Sequence, residues 1–124
     1  MEEKKVKFLD REVSITYNAN TGIAYEAISG KVFNPNDLIT KNDKENDNEK
    51  QSLRLGCATV LCTSCIIANN PNVPDDYIEK IGKQATLPEI ESLVGTIMES
   101  YYEWRFHPEI LNKNKEEKGE TPKN

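Results

Sequence analysis

YNANTGIAYEAISGKVF (Tyr17–Phe33) reads as a helix bracketed at both ends, and it joins strand-like sequence to helical sequence. Asn20 or Thr21 suits the N-terminal cap, because a short side-chain oxygen accepts hydrogen bonds from the first unpaired amides. Ile23, Ala24, Ala27 and Ile28 recur at helical spacing as one narrow apolar face, with Glu26 pointing the other way. Gly30 supplies a left-handed residue to end the helix, and Lys31 sits beside the last carbonyls.

Upstream, Lys5–Leu9 and Glu12–Tyr17 flank a turn-like Asp10-Arg11. Val6 and Phe8 alternate with lysines, and Val13, Ile15 and Tyr17 alternate with Ser14 and Thr16. Period-two alternation on both sides of a turn predicts a β-hairpin over 5–17 with one buried face. A lone hairpin is marginal in water, so this one must pack against helices.

Downstream, Asn34-Pro35-Asn36-Asp37 favours a turn, with Asp37 as a cap for a short turn through Leu38 and Ile39. Residues 40–50 are almost entirely Lys, Asn, Asp and Glu and read as a mobile polar loop. A central helix is expected over 51–69, apolar nearly all round and therefore buried. Gly56 weakens it, which calls for close approach of another element there. Asn69-Asn70-Pro71-Asn72 ends it, and a short helix follows over 75–82, with Asp75 and Asp76 in its first turn and Gly82 closing it. The last helix, 86–106, opens on the capping box Thr86-Leu87-Pro88-Glu89. Leu87, Ile90, Leu93, Val94, Ile97, Tyr101 and Trp104 line one side of it, and Pro108 bars its continuation. Residues 112–124 hold no apolar side chain and read as a disordered charged tail. The expectation is a mainly helical α+β fold: an N-terminal β-hairpin packed on a small bundle of about four helices, in a single domain over 1–111.

The net charge of −5 argues against nucleic acid as a partner, since a phosphate backbone demands clustered Lys and Arg. The charged N-terminus lacks the apolar stretch of a signal peptide. Leu53–Ala68, the longest apolar run, has 16 residues and is interrupted by Arg54, Thr59, Thr63 and Ser64, short of a membrane span. A cytoplasmic protein is expected. Three cysteines are an odd number, which fits reduced thiols.

Cys57, Cys62 and Cys65 have the spacing C-x4-C-x2-C, that of the first three ligands of plant-type ferredoxins. A fourth cysteine is missing, and on a continuous helix the three spread over roughly 140° of azimuth. Cys62-Thr63-Ser64-Cys65 alone resembles a redox CxxC, yet such a motif belongs at a helix N-terminus. His107, the single histidine, would complete a Cys3His zinc site but is more simply a helix-end residue. Small buried hydrophobes are the plainer account of the cysteines. With no Ser-His-Asp arrangement and no Gly-rich phosphate loop, neither a catalytic residue nor a cofactor is expected. Tyr101, Tyr102, Trp104 and Phe106 divide between core packing and a partner-facing surface.

The order of the chain, a hairpin (VKFLDREVSITY), then NTGIAYEAISGKVF, then a longer helical region, resembles the tail assembly chaperones of long-tailed bacteriophages and prophages. The family's helix carries a small apolar residue, an aromatic, a Glu and then Thr/Ser-Gly-Lys. The matching positions are Ala24, Tyr25, Glu26, Ser29, Gly30 and Lys31, with Phe33 shortly after. The resemblance covers roughly residues 6–38 and continues only as general architecture. It implies a non-enzymatic protein of the bacterial host cytoplasm that binds the tape measure protein, and in some cases tail tube subunits. Such a protein is absent from the finished virion and often has a frameshifted longer form. An apolar groove between the last helix and the hairpin–helix unit is the expected contact surface, with Tyr25, Tyr102, Trp104 and Phe106 as contacts. The exposed hairpin edge also suits a homo-oligomer. The competing readings are a small cytoplasmic helical adaptor or regulator unrelated to phage, a cysteine-based metal or redox protein, and, more distantly, a helix-turn-helix.

Overall fold

The computed structural model describes residues 3–42 and 50–106. Strands β1 (Lys5–Phe8) and β2 (Arg11–Ser14) pair antiparallel, with Val6 opposite Val13 and Phe8 opposite Arg11. The turn between them is Leu9-Asp10, one residue earlier than the sequence predicts, and both residues are left-handed, with φ of 50° and 65°. Positive φ at both central residues matches the right-handed twist of a two-residue hairpin. Leucine is a poor residue for that conformation. Here Leu9 packs against the core, which offsets part of the backbone strain.

The chain then stays extended through Ile15 and Tyr17, both buried; the Ile15 amide donates to the Lys4 carbonyl at 2.8 Å, and the other bonds that hold it come from side chains rather than a third strand. Asn70 donates to the Ser14 carbonyl and accepts from the Ser14 amide, each at 2.9 Å. Asn69 donates to the Thr16 carbonyl at 2.9 Å, and the Tyr17 amide donates to Ser100 Oγ at 2.7 Å. Two side-chain amides and one hydroxyl thus satisfy buried backbone groups that a sheet would otherwise pair.

Helix α1 (Ala19–Ser29) starts at Asn18, not at Asn20 or Thr21. Asn18 Oδ1 accepts from the Thr21 amide while Thr21 Oγ1 accepts from the Asn18 amide, a reciprocal capping box. The buried face is corrected too. Thr21 and Tyr25 point inward, whereas Ile23 is 65% exposed and Ile28 48%. Gly30 ends the helix with φ of 79°, as its sequence position predicts.

Asn34, rather than Asp37, caps a 3-10 turn over Pro35–Leu38. A second antiparallel hairpin follows, which the sequence reading missed: β3 (Ile39–Asn42) with β4 (Lys50–Leu53). The polar stretch 40–50 therefore includes strand at both ends, and its centre, 43–49, lies outside the described residues. His107 and 108–124, including the predicted tail, lie outside them as well.

Helix α2 (Leu55–Asn69) begins four residues later than predicted and is the hub of the fold. Leu61, Cys62, Cys65 and Ile66 have no exposed surface, and Ser64 is buried with its hydroxyl donating to the Val60 carbonyl at 2.7 Å. The helix is not buried all round, since Leu55 and Ile67 are exposed at its two ends. Gly56 is exposed and has no close neighbour, so the expected close approach there is absent.

Helix α3 (Asp75–Gln84) buries Tyr77 and Ile81 and runs through Gly82, which does not close it. The Tyr77 hydroxyl donates to the Phe8 carbonyl and Arg11 lies 5.8 Å from the ring centre, which ties the hairpin tip to α3. Helix α4 (Leu87–Phe106) has the predicted capping box: Glu89 accepts from the Thr86 amide at 2.7 Å and Thr86 Oγ1 from the Glu89 amide at 3.4 Å. Its inner side is Ile90, Leu93, Val94, Ile97 and Tyr101, while Leu87 is exposed. The architecture is thus mainly helical α+β, with the N-terminal hairpin packed on four helices.

Candidate functional site

A groove of about 400 Å³ runs between α1, the Lys31–Phe33 turn and the C-terminal end of α4. Its floor is aromatic. Tyr17 meets Tyr101 edge-on at 4.9 Å between ring centres and Trp104 at 5.0 Å. Phe33 meets Tyr101 at 5.3 Å and Tyr25 at 5.1 Å, both edge-on. Edge-on geometry is the favoured arrangement of aromatic pairs, so these contacts define the ring orientations of the floor. Gly22 belongs to the wall because the Tyr17 hydroxyl comes close to it: a Cβ there would lie 3.1 Å from that oxygen.

The rim is apolar and open. Ile23 is 65% exposed, and Val32, directly after the helix-ending turn, is 71% exposed. Glu26 and Arg105 add one charge of each sign. Burial pushes the Tyr17 phenol up to about 12, with Tyr101 and Cys65 adding smaller contributions. Burial likewise pushes Tyr25 up to about 12, helped by its hydrogen bond with Cys57. Both phenols are neutral at physiological pH, so the floor presents an uncharged surface.

The four predicted contacts are dispersed. Trp104 is half-buried and lines the groove. Tyr25 is corrected to a core residue: at 2% exposure it supports the floor from below through Phe33 and offers no contact surface. Tyr102 and Phe106 are about half exposed and stack on each other, 6.0 Å apart and 11° from parallel, on the flank of α4 beside the groove. Ile23, Val32, Phe33 and Arg105 line the groove and were not predicted as contacts. For Val32 the signal was present: a large aliphatic residue two positions after the helix-ending Gly30, where the chain turns at the surface, whereas Ile23 lies in the first half of α1 and reads as core.

Cys62 and Cys65 are fully buried, and burial holds both thiols up to about 12. The buried-hydrophobe reading therefore describes these two, and Cys57 is half-buried beside Tyr25. Among the described residues no group of three or more His, Cys, Asp and Glu is placed to hold a metal. No helix among them is long and apolar enough to cross a membrane.

Two consequences are measurable. Iodoacetamide at neutral pH is expected to leave Cys62 and Cys65 unmodified until denaturant is added, as mass spectrometry would show. The folded thiols titrate above their ordinary value of 9.0. Their contribution to stability is therefore complete below pH 9 and is lost as pH rises from 9 toward 12, where the unfolded chain ionises first. Urea midpoints are expected to fall across that window, and a midpoint unchanged from pH 9 to 11 would contradict the burial argument.

Compared with known proteins, the chain matches no family model, no curated sequence and no solved structure.

Proposed function

We propose that this chain is a non-enzymatic tail assembly chaperone of a long-tailed bacteriophage or prophage, acting in the bacterial cytoplasm. Its groove between α1 and the end of α4 receives apolar helical segments of the tape measure protein before the tail tube polymerises. The observation that carries this reading is the groove itself: a packed, neutral aromatic floor with Ile23 and Val32 open to solvent. Exposed apolar surface of this kind marks sites that bury a partner's apolar side chains.

The residues of the chaperone-like motif have a physical role in that wall. Tyr25 and Phe33 pack edge-on at 5.1 Å. The Ser29 hydroxyl donates to the Tyr25 carbonyl at 2.7 Å, and left-handed Gly30 turns the chain so that Phe33 goes inward while Val32 stays out. A motif that looks like mere helix punctuation is therefore also the geometry of one groove wall.

Reversibility follows from size. Two or three partner side chains fit such a groove, each contributing about 1.5–3 kcal/mol before ordering costs. That is a holding interaction, which tube subunits can displace.

The test is co-expression with a candidate tape measure protein, the product of the large gene downstream on this reading, read by size-exclusion chromatography with light scattering. A stable complex of defined stoichiometry is the expected result, and added tube protein should release it. Failure to form any complex with that protein sinks the reading and leaves a helical adaptor with another partner.

A further inference from the structure

A second cleft, of about 580 Å³, lies on a different part of the molecule and shares no residue with the aromatic groove. It sits where α2 ends and α3 begins. Ile67, Val73 and Ile78 give it an apolar lining, and Asp75 and Glu79 stand in the same lining. Ile67 is 42% exposed although it belongs to the most apolar helix of the chain. Asp75 and Glu79 are four residues apart on α3, hence on one face and one turn from each other. Both side chains are exposed to solvent.

We propose that this cleft docks a basic amphipathic segment of a partner protein, in which Arg or Lys stands one helical turn from Leu, Ile or Val. Charge complementarity selects this occupant. An aliphatic surface with two carboxylates suits a side chain with an apolar stem and a cationic head, which is the build of Arg and Lys. The stem lies along Ile67 and Ile78 while the head reaches Asp75 or Glu79. The neighbouring aliphatic residue fills the rest of the cleft, whose whole volume of about 580 Å³ falls within the ~300–1,000 Å³ of ordinary ligand clefts. An acidic segment meets like charge in the cleft and in the whole chain, whose net charge is −5. The inference is independent of the tail-chaperone reading, because neither site needs the other.

Two synthetic helical peptides of equal length, both with Leu at every fourth position, test it. One carries Arg and the other Glu at the same remaining positions, and each is titrated into the isotope-labelled full chain with assigned amide resonances. The Arg peptide is expected to shift amides over 67–79, and more weakly as salt rises. Asp75→Asn with Glu79→Gln should weaken it about tenfold, the loss of one well-placed charge-assisted contact. Both positions are exposed, so an unchanged melting curve certifies the variant's fold. The proposal is overturned if no amide moves, if the Glu peptide binds equally well, or if shifts fall on the α1–α4 groove instead. It is also overturned if shifts at 67–79 track protein concentration without peptide, because a second copy then occupies the cleft.

Discussion

Asn70→Ala is expected to lower the stability of the fold by about 2–4 kcal/mol, far beyond what a half-buried polar residue after the end of a helix ordinarily contributes. The side chain donates to the carbonyls of Ser14 and Ile66 and accepts from the Ser14 amide. Ser14 is only 7% exposed, so removing the Asn70 amide leaves an N–H and a C=O without partner and largely without water. The penalty for each buried orphan is about 1–3 kcal/mol, against a total of about 5–15 kcal/mol for a domain. Asn70→Asp is expected to do no better, since it keeps the acceptor for the Ser14 amide but turns a carboxylate oxygen toward two carbonyls. Urea denaturation followed by circular dichroism gives the difference directly. Native-state hydrogen exchange adds a location: loss of protection should start in the hairpin, because Asn69 and Asn70 fasten it to α2. A change below about 0.5 kcal/mol would mean that water replaces the Asn70 amide and that the clasp is decorative.

The second large effect concerns the groove. Ile23→Asp combined with Val32→Asp should reduce affinity for an apolar helical partner at least 30-fold, about 2 kcal/mol, because a charge then enters each buried contact. Both side chains are mostly in water in the free protein, so melting temperature and circular dichroism should stay near those of the parent. Tyr102→Ala with Phe106→Ala is the comparison that decides where the partner sits. These two rings stack beside the groove rather than lining it, so a smaller loss is expected. Isothermal titration against tape measure fragments would rank the two pairs. If the aromatic pair costs more than the aliphatic pair, the partner lies along the flank of α4, and the groove has been assigned the wrong role.

The elements legible in the sequence were those whose pattern and physics coincide. Strand alternation around a turn, the Thr86–Glu89 capping box and the stripe Ile90, Leu93, Val94, Ile97, Tyr101 each had one plausible structural outcome, and each formed. The turn position slipped by one because Leu9 gives no sign of tolerating positive φ. The face of α1 was misread for an instructive reason. Hydropathy places isoleucine inside and threonine outside, yet Thr21 is fully buried, its hydroxyl engaged by Asn18 and Cys65. Tyr25, four residues on, fills the aromatic cluster. Tertiary hydrogen bonding and ring packing override a hydrophobicity count over eleven residues. Strands β3 and β4 were illegible because ITKN and KQSL carry no apolar alternation; their one apolar pair, Ile39 opposite Leu53, stands at the ends of the two segments. The aromatic floor was half legible: Trp104 was named, but that Tyr17 meets Trp104 and Phe33 meets Tyr101, each pair far apart in sequence, depends on packing that no local pattern encodes.

The hairpin β3–β4 leads out of the chain's main body and returns to it one strand spacing away. Asn42 stands opposite Lys50, so the two ends of the intervening segment are about 5 Å apart. At the base the Arg54 amide donates to the Leu38 carbonyl at 2.7 Å, which clamps the stem to the start of α2. Such a stem is a docking port for engineering. A fluorescent protein, whose own termini lie close together, could be spliced between Asn42 and Lys50 and report the protein's encounters in living cells while the folded body beneath it stays unaltered.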